Sequence, residues 1–287
     1  MTSQVMDAST KDRQSRSMSP LPFHPAHPGA GAQLRRLRRQ AGLSQLDLAL
    51  LAGVSQRHLS CVETGRAKAS PATLHALLSA LEVPLDQCNE VFLAAGFAPR
   101  YTASPPDAPT LGMVHEALAH LLQANNPAPA IVIDGNWNVT AANTSVGVLF
   151  ALAGVQVRET AGLNLLDTLL RPGGLGDHLV NADEIRAITW QRAAREALGN
   201  PELGRRLQQL QTPPSVPTEH RPSPVILTRI RTQDGELTFL STFTTFGMPL
   251  DITVASLRIE HLIPADARTW QVMTAAHATV DGLHAGD

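Results

Sequence analysis

Residues 43–65 read LSQLDLALLAGVSQRHLSCVETG, and this stretch decides the fold of the first part of the chain. Ser44, followed three residues later by Asp47, is the pattern of a capping box at the start of a helix. Gly53 stands where a chain that leaves this helix needs a positive φ, and Ser55 can cap a second helix. The apolar face of the second helix is supplied by Val54, Leu59 and Val62. The stretch therefore predicts two short helices joined by a tight turn.

The polar side of the second helix carries side chains that are suited to reading DNA. Gln56, Arg57 and Ser60 lie away from its apolar face at helical spacing. A recognition helix presents its N-terminal residues to base edges in the major groove, where Gln can pair with adenine and Arg with guanine. We therefore predict a helix-turn-helix that contacts DNA through Gln45, Ser55, Gln56, Arg57, Ser60, Arg66 and Lys68. Of these, Gln45, Arg66 and Lys68 are expected at phosphates, and the alternative is a helical hairpin with solvated polar residues.

Charge distinguishes this module from the rest of the chain. Between residues 31 and 70, seven basic side chains stand against Asp47 and Glu63, which gives a net charge of +5. The whole chain has a formal net charge of −2, so the remainder is acidic. A basic patch confined to one module is the electrostatic pattern expected for phosphate binding. The arginine cluster between Arg35 and Arg39 can also be interpreted as a solvated helix face.

Length and composition limit the remaining possibilities. A chain of 287 residues is long enough for two domains, and its two cysteines, Cys61 and Cys88, do not indicate a disulfide framework. No apolar run reaches the length of about 18 residues that a membrane span needs. The polar, proline-rich residues 1–30 lack the apolar core of a secretory signal. We expect a disordered N-terminal tail and a cytoplasmic protein without membrane contact.

The sequence predicts two domains of different class. Helices around the motif give an all-α, five-helix bundle over residues 31–97, followed by a proline-rich linker over 98–109. Residues 110–270 read as a strand pair, several helices and three more strands. This is the order of an α+β, PAS-like fold with a five-stranded antiparallel sheet. Residues 271–287 are predicted to form a C-terminal tail.

A sheet with helices across one face can enclose an apolar cavity, which is the usual form of a small-molecule site. By analogy with such folds behind DNA-binding modules, we predict a ligand cavity in the second domain. The candidate lining residues, which could instead be ordinary core, are Ile131, Ile133, Trp137, Leu166, Leu170, Trp190, Phe239 and Phe243.

Both halves of the sequence resemble known families. The first half is similar to the XRE (lambda-repressor-like) regulators through LSQLDLALLAGVSQRHLSCVETGRAKAS. The second half is similar to the PAS-related ligand-binding domain of MmyB-like regulators through PAIVIDGNWNVTAANTS, NLLDTLLRPGGLGDHLVNADEIRA and FLSTFTTFGMPLDITVASLRIEHLIPADA. The resemblance implies a one-component transcription regulator, in which a small molecule bound by the second domain alters DNA binding by the first.

We therefore expect a homodimer on a double-stranded DNA operator and a small, largely apolar ligand, such as a fatty-acyl or aromatic molecule. Two alternatives remain open at this stage. The second domain could serve only dimerisation or protein–protein interaction, or the bundle could be an adaptor that docks a protein partner. The sequence contains no HExxH metal motif, GxSxG elbow or phosphate-binding loop. No enzyme activity, metal or cofactor is therefore expected.

Overall fold

The computed structural model describes residues 29–156, 160–210 and 224–284, with side chains as far as residue 280. The tail predicted over residues 1–30 lies outside the described residues as far as residue 28, and Ala30 already belongs to the first helix. No helix in the described ranges has both the length and the apolar character that crossing a membrane requires.

Five helices form the first domain, which confirms the predicted bundle. They are α1 (Ala30–Gln40), α2 (Gln45–Leu51), α3 (Gln56–Glu63), α4 (Pro71–Ala80) and α5 (Leu85–Ala94). The capping box at the start of α2 is present, since Asp47 N–H donates to Ser44 Oγ at 3.1 Å and Ser44 N–H donates to the Asp47 carboxylate at 3.0 Å. Gly53 has a φ of +66° between α2 and α3. The helix-turn-helix is therefore formed by α2 and α3.

The predicted linker over residues 98–109 is held against the first domain at its start. The Asn89 side chain of α5 accepts from the N–H groups of Arg100 and Tyr101 at 2.8 and 3.0 Å, and it donates to the Tyr101 carbonyl at 2.7 Å. The Tyr101 hydroxyl lies 3.2 Å from His75 Nδ1. These contacts fix the direction in which the chain leaves the bundle.

The second domain has the predicted α+β architecture. Its helices are α6 (Gly112–Asn125), α7 (Thr144–Ala153), α8 (Leu165–Leu170), α9 (Ala182–Glu196), α10 (Pro201–Gln209), α11 (Ile252–Ser256) and α12 (Ala267–His284). Its strands are β1 (Ala130–Ile133), β2 (Val139–Ala142), β3 (Leu227–Thr232), β4 (Gly235–Thr245) and β5 (Arg258–Pro264). They form one antiparallel sheet in the order β2-β1-β5-β4-β3, so the last strand lies at the centre.

The two faces of the sheet are covered by different helices. α6 covers one face, where Leu118 packs in a cluster with Ile259 of β5. α7 and α12 cover part of the other face, around the fully buried Phe239. Successive residues of a strand point to opposite faces. The side chains of Arg258 and Glu260 therefore point to the face of the sheet that α7 and α12 cover only in part.

The tail predicted over residues 271–287 is wrong for most of its length, because α12 continues to His284. Met273 is fully buried in a cluster with residues of α7 and the sheet. Met273, Ala276, His277 and Val280 recur at the spacing of one helix face, and all four are at least partly buried. The segment contains few large apolar residues, which weakens this signal in the sequence.

Candidate DNA-binding surface and ligand cavity

The N-terminus of α3 presents polar side chains to solvent. Gln56 and Arg57 are exposed, while Leu59 and Val62 are buried and fix the rotation of the helix on the bundle. Ser55 caps the helix by accepting from His58 N–H at 3.1 Å. The exposed N-terminal residues are those that a recognition helix would direct at base edges.

A buried ion pair anchors α3 to α1. Arg38 donates to both carboxylate oxygens of Glu63, through Nε at 2.6 Å and Nη2 at 2.9 Å, and Gln45 Nε2 donates to Glu63 at 2.8 Å. Arg38 Nη1 also donates to the Leu43 carbonyl at 2.8 Å. Burial alone would raise the pKa of Glu63, but the hydrogen bonds from Arg38 and Gln45 and the nearby arginine charges together outweigh it and lower this pKa. The cluster ties α1 and the start of α2 to the end of α3.

The basic charge of the first domain remains on its surface after this pairing. Arg38 and Glu63 neutralise each other inside the bundle, so the net charge of +5 between residues 31 and 70 belongs to exposed side chains. Six exposed basic residues face solvent against one exposed acid, Asp47. The basic residues are Arg35, Arg36, Arg39, Arg57, Arg66 and Lys68. Exposed cations of this kind are available to DNA phosphates.

A cavity of about 430 Å³ lies in the second domain, between the sheet and α7, α8 and α9. Its walls are mainly apolar and include Ile131, Trp137, Leu149, Phe150, Leu169 and Phe243. Side chains with polar groups also reach the wall, namely Thr168, Thr189, Arg192, Thr228, Ser241 and Glu260. A mainly apolar cavity of this volume with a few polar groups is the usual form of a small-molecule site.

Four charged residues from α9 and β5 meet around Trp137. Glu196 Oε1 accepts from Arg192 Nε at 3.2 Å, and Glu196 Oε2 accepts from Arg258 Nη1 at 2.9 Å and from the Trp137 indole N–H at 2.7 Å. The guanidinium groups of Arg192 and Arg258 lie 5.1 and 4.7 Å from the Trp137 ring centroid, within cation–π range. Glu260 completes this polar group beside the cavity. Burial lowers the pKa of Arg258 and raises that of Glu260.

Trp137 has a backbone conformation that is unusual for a large side chain. Its φ is +65°, in the left-handed region. A turn holds it there, since Trp137 N–H donates to the Asp134 carbonyl at 3.0 Å, while the indole is bound by Glu196 at 2.7 Å. Such strained positions are often found at ligand sites.

Polar contacts join the linker to the second domain, and we call Thr102, Ser104, Asp251 and Thr253 the interdomain clasp. The Asp251 carboxylate accepts from the Thr102 hydroxyl at 2.9 Å and from the Ser104 hydroxyl and N–H at 2.8 and 3.1 Å. Thr253 donates to the Ser104 carbonyl at 2.6 Å. Asp251 also caps α11, which leads directly into β5. The clasp therefore connects the start of the cavity strand β5 with the segment that leaves the first domain.

Sequence profiles of known families match both halves of the chain. The profile described as MmyB-like transcription regulator ligand binding domain matches residues 114–276, and a helix-turn-helix domain profile matches residues 30–91. The chain belongs to the MmyB-like transcription regulators. It is a helix-turn-helix DNA-binding transcription regulator with an MmyB-like ligand-binding domain, and it is not an enzyme.

Several solved structures are similar to parts of this MmyB-like regulator. The restriction-modification controller protein C.AhdI from Aeromonas hydrophila is 35% identical, with a match that covers 22% of this chain and 91% of that chain at a TM-score of 0.20. An RNA-binding light-oxygen-voltage receptor is 13% identical over 86% of this chain and 63% of that chain, at a TM-score of 0.25. The E. coli DhaR(N)–DhaL complex is 13% identical over 69% of this chain and 47% of that chain, at a TM-score of 0.25. The match with these last two spans less than two thirds of their length, and the comparison with curated proteins gave no match.

Five of the seven residues predicted to contact DNA are exposed on the regulator's first domain. Ser55, Gln56, Arg57, Arg66 and Lys68 are exposed, whereas Gln45 and Ser60 are half-buried. The bond from Gln45 to Glu63 joins residues 18 positions apart, so no local sequence pattern predicts it. It holds one amide hydrogen of Gln45 on the buried Glu63 carboxylate.

Only three of the eight predicted lining residues, Ile131, Trp137 and Phe243, line the cavity of this regulator. Ile133 and Phe239 are fully buried in the core instead. The other three pack beneath α10 in a cluster with Leu203 and Leu207, and they are Leu166, Leu170 and Trp190. These three residues lie on the sides of α8 and α9 that α10 covers, and not on the sides that face the cavity. The sequence prediction did not identify α10 as the neighbour of both helices.

The sequence prediction also missed the charged residues of the cavity and its surroundings. Arg192 lies on the α9 face that includes Ile185, Ile188 and Thr189, and Glu260 faces the cavity from β5. An ionisable residue within an otherwise apolar face is a signal that could have found both of them. Among the described residues, no three His, Cys, Asp or Glu side chains are grouped as a metal site requires.

Proposed function

We propose that this protein is a one-component regulator, in which a small, largely apolar ligand in the cavity changes how the helix-turn-helix domain binds its operator. The observation that carries the proposal is the interdomain clasp. Asp251 bonds the linker through Thr102 and Ser104 and caps the helix that leads into β5. β5 then supplies Glu260 to the cavity and Arg258 to the charged group around Trp137.

DNA binding is assigned to the exposed polar surface of the first domain. Gln56, Arg57 and Ser60 read base edges, Gln45, Arg66 and Lys68 hold phosphates, and Ser55 contacts DNA at the start of α3. The assignment rests on the exposure of the α3 N-terminus and on the excess of exposed cations. A homodimer would place two recognition helices in successive major grooves, about 34 Å apart on a near-palindromic operator. We propose that the regulator works in the cytoplasm.

The ligand acts through α9 and β5, which are the two elements that carry charge to the cavity. Arg192 and Glu196 belong to α9, and Glu196 binds Arg258 of β5. The end of α9 is followed by Gly199, against which the Gln87 side chain of α5 lies. A ligand that shifts α9 or β5 therefore changes contacts with the first domain at two places. A ligand can shift this equilibrium only by its difference in affinity for the two arrangements.

The test uses the full-length protein and a random double-stranded DNA library. Selection is expected to enrich one near-palindromic sequence, and native mass spectrometry is expected to detect a small apolar molecule bound to protein from cells. Failure to enrich any sequence would contradict the DNA-binding assignment. Enrichment by a protein that never carries or binds an apolar molecule would favour a second domain that serves only dimerisation.

The clasp is tested separately with the Thr102→Val, Ser104→Ala double variant. This variant removes two hydroxyl donors to Asp251 but leaves Asp251 free to cap α11. We expect unchanged operator affinity without ligand and a reduced response of that affinity to a bound apolar compound. Thr110→Val, at an exposed threonine outside the clasp, is the matched control. A full ligand response in the double variant would remove the clasp from the coupling route.

A further inference from the structure

A group of arginines without acidic partners lies on one side of α1, and we call Arg35, Arg36 and Arg39 the arginine stripe. All three are exposed, and with Ala32 and Gln40 they line an open depression on the surface of this helix. α1 contains no acidic residue. Within the part of the chain that the structure describes, none of the three guanidinium groups forms a hydrogen bond or an ion pair. Like charges three and four residues apart on a helix repel each other, so the stripe favours an anionic partner.

The end of α3 marks one side of α1. Gly31 lies directly against the Val62 carbonyl, where a Cβ would not fit, and Arg38 binds Glu63. Burial raises the pKa of Glu63, and the charge of Arg35 is one of the effects that lower it. Arg35 is therefore close to the C-terminal end of α3.

Helical spacing gives the three arginines of the stripe different directions. At about 100° of rotation per residue, Gly31 and Arg38 point in nearly the same direction, which is that of the contact with α3. Arg35 lies about 50° and Arg39 about 90° from that direction, whereas Arg36 lies about 150° from it. Arg35 and Arg39 therefore border the side of α1 that meets α3, and Arg36 points away from that side into solvent.

The C-terminal end of α3 is expected at the phosphate backbone when this helix reads DNA. α3 is 8 residues long, which places Glu63 about 10 Å beyond Gln56 along the helix axis. The major groove is about 12 Å wide and about 8.5 Å deep, so a helix whose first residues reach base edges extends to the backbone that borders the groove. Arg66 and Lys68 follow this end of α3, and the Arg66 N–H donates to a carbonyl of α3 at 2.9 Å. The cations of this loop and Arg35 therefore border the same part of the surface.

We propose that Arg35 and Arg39 bind backbone phosphates of the DNA beside the half-site that α3 reads, whereas Arg36 does not contact DNA. The assignment rests on the proposed function, because it extends the phosphate surface of Arg66 and Lys68 along α1. A guanidinium group can donate two parallel hydrogen bonds to phosphate oxygens. Phosphate contacts fix the position of a protein on the duplex but do not read its sequence. The two arginines thus increase the affinity for every sequence and leave base preference to α3.

The salt dependence of DNA binding counts these contacts in the full-length protein. The probe is a fluorescein-labelled duplex of random sequence and about 30 base pairs, or three helical turns. Fluorescence anisotropy gives its affinity between about 50 and 200 mM sodium chloride, where each phosphate contact contributes about 0.9 to the slope of log affinity against log salt. Arg35→Gln and Arg39→Gln should each reduce that slope by about 1, and the double variant by about 2. Over this range of salt, the double variant should lose about tenfold less affinity than the natural protein.

Arg36→Gln is the matched control, because it removes the same charge from the same helix. It should leave the slope unchanged. The three side chains are exposed and repel each other, so every variant should unfold at or above the temperature of the natural protein, as measured by circular dichroism. A change in the slope then reports DNA contact and not a loss of folding.

Ethylation interference shows where the contacts lie on the operator selected from the random library. Ethyl groups on the phosphates beside the half-site should weaken binding of the natural protein. They should have no effect on the Arg35→Gln, Arg39→Gln double variant, because it lacks the side chains that meet those phosphates. An effect of the same size on both proteins would overturn the assignment.

The outcomes also separate this assignment from the proposed function. Equal losses of slope in all three single variants would overturn it in favour of general electrostatic attraction. An unchanged slope in Arg35→Gln and Arg39→Gln would mean that the stripe is a solvated helix face. A double variant that binds DNA more tightly would overturn it as well, and would indicate acidic residues of the second domain as partners of the stripe. The expected slopes with no sequence enriched from the library would support the phosphate contacts and contradict sequence reading by α3.

Discussion

The buried pair of Arg38 and Glu63 is expected to contribute more to folding than any exposed charge of the first domain. The side chains are 9% and 0% exposed, and Glu63 accepts three hydrogen bonds, two from Arg38 and one from Gln45. Glu63→Ala leaves the Arg38 guanidinium buried with only the Leu43 carbonyl as a partner. Removing one partner of a buried pair costs about 3–5 kcal/mol. This is a large part of the roughly 5–15 kcal/mol by which a domain is stable.

Urea unfolding of the full-length protein, followed by circular dichroism, measures this loss. The earliest helical transition should shift to lower urea in Glu63→Ala. The matched variant is the Arg38→Met, Glu63→Leu double substitution, which removes both charges and fills the space with apolar groups. It should recover most of the lost stability, because no buried charge remains unpaired. A loss under about 1 kcal/mol in Glu63→Ala, or a double variant as unstable as the single one, would refute the reasoning.

The pH dependence of the same transition gives an independent check. Burial would raise the pKa of Glu63, but this pKa is lowered in the folded protein, because the hydrogen bonds from Arg38 and Gln45 and the nearby arginine charges together outweigh burial. Its stabilising contribution is therefore present above the ordinary glutamate pKa of about 4.3 and is lost as the pH falls through the lowered value. Glu63→Ala should lack this acid-sensitive component. The Arg38→Met, Glu63→Leu variant should also keep the salt dependence of DNA binding, since Arg38 is buried and paired with Glu63.

Three further predictions follow from exposure and burial. Arg57→Ala should weaken specific operator binding by about 1–3 kcal/mol and relax the preference at one base pair; a gel-shift comparison of operator variants that shows no change would exclude Arg57 from base readout. Lys68→Ala should weaken binding to all sequences and reduce the slope of log affinity against log salt by about 1; an unchanged slope would mean that Lys68 meets no phosphate. Met273→Ala should destabilise the second domain by about 2–5 kcal/mol, because Met273 is fully buried. A thermal unfolding temperature close to that of the natural protein would contradict the packing of α12 in the core.

The helix-turn-helix could be predicted from the sequence because its signals are local. Ser44 and Asp47 bond each other across three residues, and Gly53 has the positive φ that its position requires. Neither signal depends on a distant part of the chain. The Arg38–Glu63 pair is different, since its partners are 25 residues apart and both look like surface charges in the sequence. The net charge of the basic patch was still predicted correctly, because the charges of Arg38 and Glu63 cancel.

The cavity was harder to predict because the side of a helix that faces it depends on neighbours far away in sequence. Leu165 lines the cavity whereas Leu166 packs under α10, although both are leucines on the same short helix. A hydrophobic pattern cannot separate two apolar faces when both are covered by protein. Arg192 and Glu260 are charged residues among apolar neighbours, and both line the cavity. Burying a charged group costs free energy unless the group is paired. Charged residues within an otherwise apolar pattern therefore indicate the ligand-facing side of such a site more reliably than the apolar residues do.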